Sequence, residues 1–339
     1  MAASQQKRTV RLDTVMFRQF LLAWYEKSQR KLPWRGATDP YHILVSEIML
    51  QQTRVAAVEE RYRQFIAQFP SAEKLARAKE STVLAAWSGL GYYRRARALH
   101  GAAKEVVRLG SFPRKSPELM ELPGVGRYTA AAVASIAFSE PVAVVDGNVK
   151  RVIDRLISHK AADAGPVEEK QYWEIAGQLL DRQSPGDFNQ AMMELGAVVC
   201  VPGNPLCAVC PVLELCASRG ALPQPKKAAR KKAIVQYSLC LKNGSVLLRQ
   251  RPQNSSLMPG MWELPACSEK KQERQTLQPL MKLVHSITTT DYSVLVFAGN
   301  LRKGQWVPLK NVERFALTGL TRKILRQLRE RETTLQPIA

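Results

Sequence analysis

The sequence predicts an all-α domain followed by a smaller α+β domain. From residue 13 to about residue 217, apolar residues recur at spacings of three and four, as they do on the buried face of a helix, with capping signals at the segment boundaries. Beyond Pro223 the pattern changes to short β-rich runs separated by turn residues. A length of 339 residues suits two domains.

Two helix starts in the first domain are well marked. Thr38-Asp39-Pro40 offers an N-cap followed by proline at the first helical position. Ser116-Pro117-Glu118 repeats this arrangement before another short helix.

The predicted domain boundary lies in the stretch PQPKKAARKKA, which carries two prolines and five basic residues without apolar periodicity. We therefore assign residues 1–222 to the first domain, 223–232 to a linker and 233–339 to the second domain. The second domain is expected to begin with a hairpin, in which IVQYSLCL and SVLLRQ flank Lys242-Asn243-Gly244. Further strands are predicted at 283–286 and 292–298, and a basic helix at 318–332.

The charge of the chain points to a polyanionic partner. Lys and Arg total 50 against 29 Asp and Glu, a formal net charge of +21. Because 45% of the residues are hydrophobic, this charge belongs to a folded protein and not to a disordered basic tail. The N-terminal residues lack a secretory signal, and the apolar stretch 128–138 is too short to span a membrane, so we expect a cytoplasmic location.

Four of the six cysteines are clustered. Cys200, Cys207, Cys210 and Cys216 follow the pattern C-x6-C-x2-C-x5-C, which predicts thiolates converging on one inorganic centre. Zinc and an iron–sulfur cubane both accept four thiolates. Because only Cys207 and Cys210 form the close pair typical of zinc sites, the spacing alone favours the cubane by a modest margin.

A second motif is a glycine-rich helix junction, Leu122-Pro123-Gly124-Val125-Gly126-Arg127-Tyr128. It predicts a helix-hairpin-helix, in which backbone amides at the start of the following helix bind a DNA phosphate without reading sequence. An ordinary tight turn is the alternative, and the basic charge of the chain makes it the weaker one.

Two acidic residues are candidates for general acid–base chemistry. Asp146 precedes a helix, whose N-terminal amides favour the ionised carboxylate. Glu47 has largely apolar helical neighbours, so burial would raise its pKa. Two carboxyls with opposite pKa shifts would suit cleavage of a glycosidic bond. The alternatives are a simple N-cap for Asp146 and a solvated helix residue for Glu47.

Together these motifs closely resemble the MutY family of adenine DNA glycosylases. The segments that carry the resemblance run in order over most of residues 20–216: SEIMLQQTRV, GLGYYRRA, LPGVGRYTA, VVDGNVKRV, MELGAVVC and the cysteine loop. The wider helix-hairpin-helix superfamily, which includes endonuclease III, shares the hairpin, the aspartate and a [4Fe-4S] loop. The resemblance therefore implies one [4Fe-4S] cluster held by the four cysteines.

The resemblance also implies catalytic roles. Glu47 matches the family's general acid, which protonates adenine N7, and Asp146 matches the residue that stabilises the sugar cation. Tyr128, Asn148 and Glu194 match supporting groups. Endonuclease III carries a Schiff-base lysine where this chain has Tyr128, so a monofunctional glycosylase is implied.

Further positions match the DNA- and base-binding residues of the family. Gln52 and Tyr92 correspond to the wedge that fills the gap left by the flipped base, with Arg94, Arg95 and Arg97 beside it, although a solvated helix face with Tyr93 in the core is the alternative. Trp34, Arg35 and Leu50 resemble the lining of the adenine pocket. The remaining expected DNA or substrate contacts are Thr53 and, at the hairpin, Gly124, Val125 and Gly126. Of the residues around the base, Trp34 is the one for which a core position is the strongest alternative.

The C-terminal segment LMPGMWELP resembles the family's second domain, which has a Nudix-like fold and reads the base opposite adenine. The Nudix catalytic acids are missing, so recognition and not hydrolysis is implied. Where the family usually has Phe-Ser-His, this chain has Ile287-Thr288-Thr289; Thr288 could replace the serine hydroxyl, but Thr289 cannot replace an imidazole.

The resemblance thus implies a monomeric, nucleoid-associated enzyme that removes adenine opposite 8-oxoguanine or guanine in double-stranded DNA, as a step of base excision repair. Two alternatives remain: a bifunctional glycosylase and lyase like endonuclease III, and a non-catalytic iron–sulfur DNA-binding protein. The sequence identifies no protein partners.

Overall fold

The computed structural model describes residues 12–157, 167–220, 230–255, 257–267, 278–287 and 289–334. They form two compact units. The first comprises the described residues up to Arg77 and those from Ala98 to residue 220, and the second comprises Ala78–Arg97 and the described residues from 230 onward. Within the described residues, no helix has the length and apolar character needed to cross a membrane.

Helices dominate the chain as far as residue 198. Over the whole described chain the helices are α1 (Thr14–Ser28), α2 (Pro40–Leu50), α3 (Val55–Gln68), α4 (Ala72–Arg77), α5 (Glu80–Ala86), α6 (Arg94–Leu109), α7 (Ser116–Leu119), α8 (Arg127–Phe138), α9 (Gly147–Ile157), α10 (Glu169–Leu179), α11 (Pro185–Val198) and α12 (Gly319–Thr334). The predicted all-α character of the N-terminal region is confirmed.

The marked helix starts have clear physical causes. The Asp39 carboxylate accepts the backbone N–H of Tyr41 at 2.7 Å and caps α2, whose first residue is Pro40, as predicted. The second start differs by one residue, because Lys115 occupies the N-cap of α7 and Ser116 is already helical. The Ser116 N–H is instead bound by the Glu140 carboxylate at 2.7 Å.

The core of the first unit is built around α8, which contacts both α2 and α11. Its small residues Ala130, Ala131, Ala132 and Ala134 are fully buried. Because alanine projects little beyond the backbone, two other helices can approach α8 closely. This close packing brings the chemistry-bearing ends of α2, α8, α9 and α11 around one cavity.

The second unit contains two small sheets. Strands β1 (Lys231–Leu239), β5 (Met281–Ile287) and β6 (Thr290–Ala298) form one, in the order β1-β6-β5, with β1 parallel and β5 antiparallel to β6. Strands β2 (Leu241–Lys242), β3 (Ser245–Gln250), β4 (Trp262–Glu263) and β7 (Gln305–Pro308) form the other. Helix α12 adds Leu320, Ile324 and Leu325 to the core.

The predicted hairpin is confirmed between β2 and β3, where Asn243 and Gly244 both have positive φ, 47° and 65°. The longer run before it behaves differently, because β1 pairs with β6 and not with β3. The predicted linker, 223–232, also extends too far, since β1 begins at Lys231; its residues up to 229 lie outside the described part.

The compact units differ from the predicted bounds, 1–222 and 233–339, at residues 78–97. These residues group with the sheets because their side chains bond to the backbone of the C-terminal segment. Tyr93 donates to the Leu317 carbonyl at 3.0 Å, and Arg97 donates to the Pro259 carbonyl at 2.7 Å. The predicted bounds therefore miss a helical segment of the second unit.

Close packing of α11 on α8 generates a stability prediction. A Cβ at Gly186 would lie 2.8 Å from the Ser135 carbonyl oxygen and 2.9 Å from the Ile136 Cα, so Gly186→Ala is expected to lower the free energy of unfolding by roughly 1–3 kcal/mol. Gly177→Ala is the matched control, because a Cβ on this α10 glycine meets nothing within 4 Å. Urea denaturation of both variants is the measurement, and equal losses would contradict the packing argument.

Candidate active site

A cavity of about 500 Å³ lies in the first unit, between α2, α8, α11 and the start of α9. This volume is within the usual range for small-molecule sites. The predicted site residues that line it are Trp34, Arg35, Glu47, Leu50, Gln52, Thr53, Tyr128, Asp146, Asn148 and Glu194. Residues distant in sequence are thus brought together as the motifs predicted.

Glu47 is buried, with 6% of its surface exposed, because α2 is apolar on nearly every side from Tyr41 to Met49. Tyr128 donates its hydroxyl hydrogen to Glu47 Oε2 at 2.6 Å. Burial raises the pKa of Glu47, while the Tyr128 hydrogen bond and the charge of Arg35 partly oppose the rise. The alternative of a solvated helix residue is therefore wrong, and the raised pKa is as expected.

Asp146 lies at the N-terminus of α9 and is both an N-cap and a cavity residue. Its Oδ1 accepts the Val149 N–H at 2.7 Å, and its Oδ2 accepts Asn148 Nδ2 at 2.9 Å. Burial raises its pKa, although these hydrogen bonds act in the opposite direction. The prediction of opposite shifts for Glu47 and Asp146 is therefore wrong, because desolvation affects both carboxyls.

Asn148 connects Asp146 to the cysteine loop through Arg151. The Asn148 Oδ1 accepts from the Arg151 guanidinium at 2.8 Å, and the same guanidinium donates to the carbonyls of Cys200 at 2.7 Å and Gly196 at 2.6 Å. A Cβ at Gly196 would stand 2.6 Å from Asn148 Cβ, so glycine is required for α11 to approach α9 here.

Glu194 is fully buried and forms two ion pairs. Its Oε1 accepts from Arg30 at 2.6 Å, and its Oε2 accepts from Arg35 at 2.8 Å. Burial alone would raise the pKa of Glu194, but the two guanidinium groups outweigh it and hold the pKa below its usual value. Glu194 therefore stays ionised and fixes both arginines at the cavity wall.

Sequence reasoning missed several lining residues, among them Arg30, Gln190 and Met193. Gln190 and Met193 share α11 with Glu194, and Gln190 lies one helical turn before it, so helical spacing could have indicated it. Gln190 accepts a hydrogen bond from Arg35 at 2.6 Å. Arg30 had no such signal, because only the fold brings it to Glu194.

The remaining residues near the base position have mixed roles. Trp34 lines the cavity and is also a core residue, 7% exposed and packed edge-on against Tyr62 with ring centres 5.4 Å apart. Both interpretations of Trp34 therefore hold. Gln52 has a φ of 54°, an unusual conformation for a residue other than glycine, asparagine or aspartate, directly after α2.

The hairpin residues lie outside the cavity. Gly124 has a φ of 74°, and a Cβ there would stand 2.3 Å from Ala98 Cβ, so glycine is required. The Val125 side chain is buried. Gly126 is the N-cap of α8 and provides no side-chain cap, so the first amides of α8 lack the partner that serine or aspartate would supply there.

Tyr92 and Thr289 belong to the second unit. Tyr92 is 46% exposed and has a φ of 47°. Tyr93 is buried, as expected in the alternative that places it in the core. Arg95 donates to the Leu90 carbonyl at 3.0 Å and so supports the turn that presents Tyr92. Thr289 is exposed beside β6, and Thr288 lies outside the described residues.

The four clustered cysteines are free thiols, each partly buried. Burial raises the pKa of Cys210 to about 11, and the charges of Cys200, Cys207 and Cys216 add to the rise. Arg155 donates to Cys200 Sγ at 3.1 Å. Within the described residues, no three or more His, Cys, Asp or Glu side chains are grouped as ligands of one metal ion. The cysteine side chains of the loop are nevertheless the soft ligand type that iron–sulfur clusters take.

Comparison with known proteins defines the class first. Residues 45–177 match the family described as HhH-GPD superfamily base excision DNA repair protein. A solved thermostable thymine-DNA glycosylase is 32% identical, with a TM-score of 0.56 over 61% of this chain and 96% of that one. An endonuclease III–DNA covalent complex, 23% identical with a TM-score of 0.51, covers 61% of this chain and 97% of its own and shares the fold. The predicted helix-hairpin-helix glycosylase fold is confirmed.

The particular family follows from the curated relatives. Adenine DNA glycosylase of Buchnera aphidicola is 35% identical, over 76% of this chain and 74% of that protein. The mouse enzyme of the same name is 39% identical, over 80% of this chain and 65% of its own length. The chain belongs to the adenine DNA glycosylase family, and it spans less than two thirds of the length of its mammalian relatives.

The burial of Glu47 predicts a pH-dependent stability effect. Since its folded pKa is raised, its contribution to stability is present below the ordinary carboxyl pKa and is lost as pH rises through the raised value. Glu47→Gln is therefore expected to melt at a higher temperature than the wild type at neutral and alkaline pH, and the difference should shrink in acid. Glu26→Gln, at an exposed position of α1, is the control. Thermal melts across pH test this, and a constant difference would contradict it.

Proposed function

We propose that this protein is a monofunctional adenine DNA glycosylase that hydrolyses the N-glycosidic bond of adenine in DNA. The observation that carries the proposal is the pairing of a buried Glu47 with Asp146 at one cavity, within a family whose curated members are named for this activity. A base flipped out of the duplex would enter the cavity.

In the proposed mechanism, Glu47 is the general acid and protonates the leaving adenine at N7. Burial raises the pKa of Glu47, which favours the protonated form that a general acid needs. Asp146, held in place by Val149 and Asn148, stabilises the positive charge that develops on the sugar. Water then completes hydrolysis to an abasic site.

The absence of a nucleophilic amine supports hydrolysis without strand cleavage. In the part of the chain that the structure describes, no lysine lines the cavity. Tyr128 stands where the lyases carry their lysine, and its hydroxyl is bound to Glu47. The second candidate is a lyase or a glycosylase for another base, which the likeness to a thymine-DNA glycosylase favours.

We further propose that the substrate is double-stranded DNA in which adenine lies opposite 8-oxoguanine or guanine. The uncapped N-terminus of α8 and the net charge of +21 support phosphate binding, while Gln52 and Tyr92 would fill the gap in the duplex. A Nudix-like identity for the C-terminal domain, with Thr288 and Thr289 near the opposite base, belongs to the same proposal.

The catalytic assignment predicts the effect of removing the acid. Glu47→Gln should slow single-turnover release of adenine at saturating DNA by at least about 100-fold at pH 7, because an amide cannot supply the proton. Binding of the same duplex should change little. Glu26→Gln serves again as the matched control, and a near wild-type rate for Glu47→Gln would refute the assignment.

We propose one [4Fe-4S] cluster bound by Cys200, Cys207, Cys210 and Cys216. The purified protein is then expected to contain about four iron and four sulfide per chain. Cys207→Ser should lower the iron content, whereas Cys240→Ser, at a buried cysteine outside the loop, should not. Stoichiometric zinc without sulfide would contradict the cluster.

A further inference from the structure

The Tyr128 hydroxyl has one hydrogen and two acceptors within reach. Glu47 Oε2 lies 2.6 Å from the hydroxyl oxygen, and the thioether sulfur of Met193 lies 3.1 Å from it. A thioether is a weak acceptor, whereas a carboxylate is a strong one. The hydrogen therefore points to Glu47 when Glu47 is ionised.

This arrangement opposes the proposed role of Glu47, because a hydrogen bond from Tyr128 stabilises the carboxylate and not the acid. Besides Tyr128, the charged groups that act on Glu47 are Arg35, which favours ionisation, and Asp146, which disfavours it. The mutually paired Arg30 and Glu194 line the same cavity. Helix α3, which also packs against α2, contributes only the apolar Val55 to the cavity wall among the described residues.

We propose that Met193 is a positioning residue that accepts the Tyr128 hydrogen when Glu47 is protonated. No covalent bond breaks: the hydroxyl rotates, and its hydrogen bond to the Glu47 carboxyl is replaced by one to the Met193 sulfur. When Glu47 is protonated, the Tyr128 hydroxyl therefore still has a hydrogen-bond acceptor, and the Glu47 proton remains available to the base. This inference rests on the proposed function, because it concerns the acid of that reaction.

The geometry explains why methionine suits this position. A stronger acceptor at position 193 would keep the Tyr128 hydrogen bond even when Glu47 is ionised. A hydrocarbon side chain there would leave Glu47 as the acceptor in both protonation states. Helix α11 places Met193 at the cavity, whereas the preceding Met192 is 2% exposed and packs in the core. The two adjacent methionines thus provide a matched pair for comparison.

The test is the pH dependence of the single-turnover rate of adenine release, in which the rate falls at high pH as Glu47 loses its proton. Met193→Leu should move this fall in rate about half a pH unit toward acid, because the protonated form of Glu47 loses its support. At pH values where Glu47 is mostly ionised, the rate should then be roughly threefold lower than that of the wild type. Met193→Gln, with a stronger acceptor, should move the fall in rate toward alkali. Met192→Leu should leave it in place.

Tyr128→Phe removes the shared hydroxyl and provides the decisive background. In this background Met193→Leu should cause no further shift, because the sulfur then has no hydrogen to accept. The inference would be overturned if Met193→Leu left the pH profile unchanged, or if it caused the same shift with and without the Tyr128 hydroxyl. In either case, adenine release by the wild type would leave the proposed function intact. If the wild type released no adenine, the proposed function would fall and this inference with it.

Discussion

The hydrogen bond between Tyr128 and the buried Glu47 is the contact around which the first unit is organised. It joins α2 to α8, and it requires a carboxyl to leave water, which costs free energy that the surrounding packing must offset. The alanine-rich α8 makes the approach of α2 possible. Because α8 begins directly after the hairpin glycines, the proposed phosphate contact and the tyrosine that binds the proposed acid lie on the same helix.

The second acid depends on a different set of contacts. Asp146 is fixed by α9, and Asn148 links it through Arg151 to the carbonyl of Cys200. Buried Asn189 adds a further restraint, since its side chain bonds to the Val144 N–H and the Val142 carbonyl just before Asp146. The position of the carboxylate is therefore coupled to the folding of the cysteine loop, which gives that loop a structural role close to the proposed reaction site.

Much of this site could be predicted from the sequence, because its central residues occur in local motifs. Glu47, Tyr128 and Asp146 each carry a recognisable context, and helical spacing correctly indicated the burial of Glu47. The upward pKa shift of Asp146 could not be predicted, since it depends on how completely the fold excludes water. Likewise, the Arg30–Glu194 pair, the parallel pairing of β1 with β6 and the grouping of residues 78–97 with the second unit all arise from contacts between distant segments.

The most direct test of the account is a single-turnover assay of the wild-type protein on duplexes with adenine opposite 8-oxoguanine, guanine or thymine, each scored for strand breaks with and without alkali. The account predicts breaks only after alkali, with the fastest adenine release opposite 8-oxoguanine. Breaks without alkali, or no adenine release from any duplex by protein that carries its cluster, would contradict it.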